Sequence, residues 1–285
     1  MLAVTYVFTP VVVPGETIQQ VFGLNDRGQT MVTTDKSSGT FRHGKLTPLP
    51  APPSGFEVGG LGINNAGVIT GIAVQTGGDS SEQGFVLRGS TYTFFSRPGF
   101  ANTEPRAISN SGLVTGISAN SDFSQLAGFI YDPEANTFTD ATPAGSTSVI
   151  VQGMNAAGRI CGDARQPGLG RYAFVWQQGT LQNRDERLAS FFERVTIDGT
   201  ATAARGINDA GVLSGFTHFG TAGFVGNASR GYRLLFPPGA TQDGASTVCE
   251  GINNFDQVVC VVTDADGATH GFIGSPRDDD ESERR

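Results

Sequence analysis

Residues 62 to 71 read Gly62-Ile63-Asn64-Asn65-Ala66-Gly67-Val68-Ile69-Thr70-Gly71, and near-copies of this phrase recur along the chain. It returns as GLNDRGQTMVT at Leu24, AISNSGLVTG at Ile108, GMNAAGRICG at Met154, GINDAGVLSG at Ile207 and GINNFDQVVC at Ile252. Six copies step by 39, 45, 46, 53 and 45 residues, the period of a four-stranded propeller blade. An Asn or Ser after the apolar residue can bond the backbone two residues on. A Gly four residues after the Ile supplies the positive φ of a type I turn with a bulge. So each phrase is a hairpin: one strand ends at Ile-Asn, and Gly28, Gly67, Gly112, Gly158 and Gly211 are turn glycines.

A second signal shares the period. Phe41, Phe85, Phe129, Phe174, Phe224 and Phe272 are spaced 44, 44, 45, 50 and 48 residues, each in a small-Phe-apolar strand. Short turns (RHGK, RGST, EANT, QQGT, ASRG) follow the first five and lead into a fourth strand. Glycines such as Gly71, Gly116, Gly162 and Gly215 fall inside the second strand, where a missing side chain lets another backbone come close. The expected fold is all-β: one six-bladed propeller of four-stranded antiparallel blades over residues 1–275, followed by a charged, disordered tail at 276–285. The last unit stops at Gly274 without a fourth strand, while TYVFTPVVVPG at Thr5 resembles the fourth strands TYTFFSRPG at Thr91 and YRLLFPPG at Tyr232. The N-terminal strand is therefore expected to complete the last blade, hiding an edge that would otherwise fray.

The GIN-x-x-G-x-apolar-x-G phrase, the later His-Gly-Phe at His270 and Ala-Phe-Val-Trp at Ala173, and the Pro-Gly loops resemble the HAF family of bacterial repeats over about residues 5 to 275. Repeat three departs with Ser109 for Asn, and repeat six with Asp256 and Cys260 for two glycines. That resemblance implies a propeller scaffold and an exported or surface location; it carries no catalytic residue with it.

The 53-residue step marks an insertion, NRDERLASFFERVTIDG, read as lying between blades four and five. Leu188, Phe191, Phe192 and Val195 fall at i, i+3, i+4 and i+7, which predicts a short helix over about 185–195, packed down or serving as a lid.

A net charge of −8 and a pI near 4.9 exclude a nucleic-acid face. No apolar run is long enough for a membrane span. No basic n-region and h-region open the chain, which leaves a cytoplasmic protein or a removed leader, against the exported location that the resemblance implies. Cys161, Cys249 and Cys260 have no metal-ligand spacing, and whether Cys249 and Cys260 pair stays open. No nucleophile elbow, P-loop or dinucleotide fingerprint occurs. Asp264-Ala265-Asp266-Gly267 has a faint calcium-loop look but reads better as a turn, so no metal or other cofactor is expected.

Loops joining the second and third strands vary while the other turns are tight and repetitive, so a site is expected on the variable face at the channel mouth. Candidate ligand-binding residues are Asp163, Arg165, Arg171, Arg187, Arg194 and His270, whose charges suit a carboxylate or sugar. His218, without a repeat counterpart, is the candidate base. The reading is a monomeric, non-catalytic binding propeller for a small molecule, glycan or protein. The alternatives are a hydrolase or lyase at the channel mouth with His218 as base, and a passive surface scaffold.

Overall fold

A computed structural model describes residues 4–168, 170–177, 181–182, 186–187, 191–197, 202–217 and 220–278. Six antiparallel four-stranded sheets form a six-bladed propeller. The strands of blade one begin at Ile18–Leu24, of blade two at Phe56–Ile63, of blade three at Asn102–Ile108, of blade four at Ser148–Met154, of blade five at Thr202–Ile207 and of blade six at Ser246–Ile252. These first strands touch one another in sequence order, and the sixth touches the first, so they line the central axis. The repeated phenylalanines fill the spaces between blades: Phe85, Phe129, Phe174 and Phe224 are fully buried and Phe41 and Phe272 nearly so.

The ring closes as the sequence implies. Val4–Val11 pairs antiparallel with Thr269–Asp278 from Val4 opposite Asp278 to Val11 opposite Gly271, so the first strand of the chain is the outer strand of blade six. Thr269–Asp278 reaches three residues into the stretch read as tail; 279–285 lie outside the described residues.

The turn glycines hold positive φ, for example +79° at Gly67 and +74° at Gly211. In blade six Asp256 takes the same slot at φ 56°, a strained choice for a residue with a Cβ. The in-strand glycines also have a cause: a Cβ on Gly71 would sit 2.0 Å from the Gly59 carbonyl oxygen of the adjoining first strand. Blade six puts Cys260 at this position, and Cys260 is disulfide-bonded to Cys249, its register partner on the first strand. Cys161 is a free thiol, buried in blade four.

The insertion departs from expectation. Phe191–Val195 is a strand, not part of a helix, and pairs with Gly170–Gln177 as the fourth strand of blade four, with Trp176 opposite Phe192. Residues 181–182 and 186–187 pair as a two-stranded hairpin between the third and fourth strands, inside blade four rather than after it. Leu188 lies outside the described residues. The physical reason is the open edge of the third strand: five paired residues satisfy its backbone groups, which a surface helix would leave in want of partners.

Candidate ligand site in the central channel

Each repeat asparagine ties its own turn and the next blade together. The Asn64 Oδ1 accepts from the backbone N–H of Ala66 at 3.1 Å and of Val68 at 3.0 Å, while its Nδ2 donates to the Ser109 carbonyl at 3.0 Å in blade three. The same inter-blade bond runs from Asn25 to Asn64, Asn155 to Asn208, Asn208 to Asn253, and Asn253 back to Asn25. An outer ring repeats the pattern with the following residue: the backbone N–H groups of Asp26, Asn65, Ala156, Asp209 and Asn254 each donate to the side-chain oxygen of the corresponding residue one blade on. Both rings break at one seam. Ser109 in blade three lacks an amide to reach Asn155, and Ala156 in blade four offers Asn110 no oxygen, so among the described residues neither bond forms there.

Inside these rings lies a cavity of about 110 Å³, walled by the ends of all six first strands. Its wall is set by β-bulges. In blades two to six the register shifts at Leu61, Arg106, Gln152, Arg205 and Glu250, while blade one shifts between Phe22 and Leu24. A bulged residue is turned out of the ladder, here onto the channel. Going round the ring, the wall reads Phe22, Leu61, Arg106, Gln152, Arg205, Glu250: an apolar third followed by a polar two-thirds.

The polar residues differ in how they are satisfied. Arg106 donates to Glu104 on the same strand. Glu104 also faces Glu82 of blade two. Burial first, and then the neighbouring Glu104, push the Glu82 carboxyl up to about 7 against the opposing pull of Arg106. The next three are less fully paired. Gln152 is only 8 % exposed, and among the described residues its amide makes no hydrogen bond. Arg205 Nε and Glu250 Oε2 stand 3.7 Å apart, too far for a hydrogen bond, with side chains 19 % and 14 % exposed. The Arg205 guanidinium is held over the Phe216 ring at 5.2 Å, with that of Arg171 over the same ring at 5.6 Å.

The residues singled out from sequence fall into two places. In blade four Arg171 Nε donates to the buried Asp163 at 2.7 Å, leaving Asp163 Oδ1 without a partner among the described residues. Arg194 Nη2 donates to Gln166 at 2.9 Å and stacks over Tyr172 at 4.6 Å. Exposed Arg165 lies opposite Arg171 in the ladder. Arg187 is in the small hairpin. His270 sits apart in blade six, its Nε2 3.0 Å from Asp264 Oδ2, and this contact holds the Asp264 carboxyl below the ordinary range. The remaining Asp264 oxygen accepts from the N–H groups of Asp266 and Ala268, as an ordinary turn does. His218 lies outside the described residues. Among the described residues no group of three His, Cys, Asp or Glu side chains is placed to hold a metal, and no helix is long and apolar enough to cross a membrane.

Sequence reasoning missed the channel wall. Its signal was the one slot that changes chemistry beside an otherwise fixed phrase, two residues before each Leu, Ile or Met: Phe, Leu, Arg, Gln, Arg, Glu.

No protein-family model matches the chain, and no curated protein matches it. Among solved structures it is similar to a protein of unknown function from Dyadobacter fermentans, with TM-score 0.53, 12 % identity, and 96 % of this chain and 99 % of that one covered. It is also similar to YCF48 from Cyanidioschyzon merolae, with TM-score 0.52, 10 % identity, and 94 % and 98 % covered. Virginiamycin B lyase from Staphylococcus aureus follows at TM-score 0.48 and 9 % identity over 95 % and 99 %. At such identities the likeness shows the fold alone.

Proposed function

We propose that this propeller is a non-catalytic binding protein that takes a small ligand into its central channel from the tight-turn face. One observation carries the reading: Gln152, Arg205 and Glu250 occupy the same repeat position in three successive blades and face one cavity, where the buried Arg205 Nε has no hydrogen-bond partner among the described residues. A buried polar donor left unpaired costs about 1–3 kcal/mol, more for a charged one, so its place on this wall favours something that pairs with it. HAF-type repeats would then supply the rigid ring and leave chemistry to the varied slot.

Capping the channel tests this. Ala156 is exposed at the channel rim, so Ala156→Trp should leave the core intact while covering the opening. Saturation-transfer NMR on a mixture of small metabolites should show a binder with the wild type that is lost in A156W at unchanged melting temperature. Binding that survives A156W and disappears in Arg171→Ala would move the site to the variable face, where the buried, half-satisfied Asp163 supports a second reading with Arg165, Arg187 and Arg194. The hydrolase or lyase alternative has His218 as its base, and Glu82, whose carboxyl burial raises to about 7, is not among the residues lining the channel cavity.

A further inference from the structure

We propose that the channel ligand is a free α-amino acid with an apolar side chain, its carboxylate on Arg205, its ammonium on Glu250 and its side chain against Leu61 and Phe22. This rests on the channel reading above and adds the chemical class of the ligand.

The argument starts from charge. Arg205 and Glu250 are adjacent on the wall, opposite in sign and part-buried; they meet as an ion pair at 3.7 Å, beyond hydrogen-bond range, while the guanidinium also rests on Phe216. So loose a pair leaves the buried Arg205 Nε without a hydrogen-bond partner among the described residues. A ligand that satisfies both must carry a negative and a positive group side by side, as the α-carboxylate and α-ammonium of an amino acid do. A simple carboxylate would bring its charge next to Glu250, and a simple amine would face Arg205. Arg106, the other cation on the wall, is already paired with Glu104, and Asp26 and Asp209 add negative charge at the rim, so the lining does not favour a net anion.

Shape and polarity supply the rest. In a six-membered ring blade two faces blade five, which sets Leu61 across the channel from Arg205, and Phe22 stands next to Leu61. A ligand held by its charged end at Arg205 and Glu250 therefore points its other end at an apolar arc. A hexose would satisfy Gln152, Arg205 and Glu250 with hydroxyls but would press hydroxyls on Leu61 as well. The cavity of about 110 Å³ is several times the ~10–15 Å³ that one water needs, room for a small organic molecule. Gln152, beside Arg205, is placed to share the carboxylate through its amide N–H groups.

Four probes separate the possibilities by calorimetric titration: L-leucine, 4-methylpentanoate, which lacks the ammonium, isoamylamine, which lacks the carboxylate, and D-glucose. Expected is binding of L-leucine with each of the other three at least tenfold weaker. Arg205→Gln should abolish the preference for leucine over isoamylamine, and Glu250→Gln the preference over 4-methylpentanoate; a merely structural role would weaken all probes alike. Should either variant fail to fold, Leu61→Phe gives an independent reading, since narrowing the apolar arc should shift the preference from leucine to alanine. Glucose or 4-methylpentanoate binding as tightly as leucine, in a manner blocked by A156W, overturns the amino-acid assignment and leaves the channel site standing. Leucine binding unaltered by A156W and R205Q overturns both. Absence of binding by all four probes overturns the assignment, while the metabolite mixture decides the channel separately.

Discussion

Asn64 uses both ends of one amide: its oxygen fixes its own turn and its nitrogen fixes the neighbouring blade. Asn64→Ala strips two turn N–H groups and one carbonyl of their partners at once, and should destabilise by about 2 kcal/mol in chemical denaturation. The converse change is the more telling. Ser109→Asn should restore the missing link to blade four and stabilise by about 1 kcal/mol, a gain that a mere surface substitution would not give. Glu82 adds a pH dependence. Its folded pKa, about 7, lies above the ordinary 4.5, so the folded state holds a proton that the unfolded chain has released between these values. The contribution is fully present below about pH 4.5 and lost as pH rises through about 7. Melting temperature attributable to this group should therefore fall across that window, and Glu82→Gln should flatten the fall; an identical profile in both proteins would refute the assignment.

At the scale of elements, strands and turns were legible because each follows from local chemistry repeated six times. Gly67 and Gly211 announce turns, and the Phe strands announce themselves by period. The segment around Phe191 was not. Apolar residues at i, i+3, i+4 and i+7 fit a helix, but Phe192 and Val195 also suit a blade edge, and only the unpaired third strand of blade four decides between them. The channel wall was hidden for a related reason. A one-residue bulge changes which side chain meets the axis, and no local pattern reveals the bulge; the changing residue beside a fixed phrase was the available clue. The Cys249–Cys260 bond likewise needed the register that sets the two residues opposite each other. If the hairpin in blade four is an appendage to a complete sheet, replacing residues 178–190 by Asn-Gly, a two-residue turn between Gln177 and Phe191, should keep the fold. Loss of the native circular dichroism spectrum in that variant would show the appendage to be structural.

For the whole molecule, the decisive contact joins the ends of the chain. Eight residue pairs link Val4–Val11 to the final strand, and Asn253 donates to Asn25 across 228 positions of sequence. Deleting residues 1–11 should lower the melting temperature by many degrees and promote self-association, because the third strand of blade six becomes an open edge. A monomer of unchanged stability would sink the closure. The seam between blades three and four, lacking both ring bonds, is where amide exchange should be fastest among the six first strands, with S109N slowing it.

The same end-to-end pairing has a consequence in time. A ribosome delivers Val4–Val11 before the other described strands and Thr269–Asp278 after them, so the earlier strand waits with its partner unmade until all six blades have been synthesised. Blades one to five can assemble as they emerge, each from neighbouring stretches of chain, but blade six has to wait for Thr269–Asp278 before its four strands can pair. A chain interrupted before Thr269–Asp278 is thus left with Val4–Val11 unpaired. Closure of the ring is thereby tied to the emergence of one late strand, and a product cut short before it remains chemically distinguishable from a closed one.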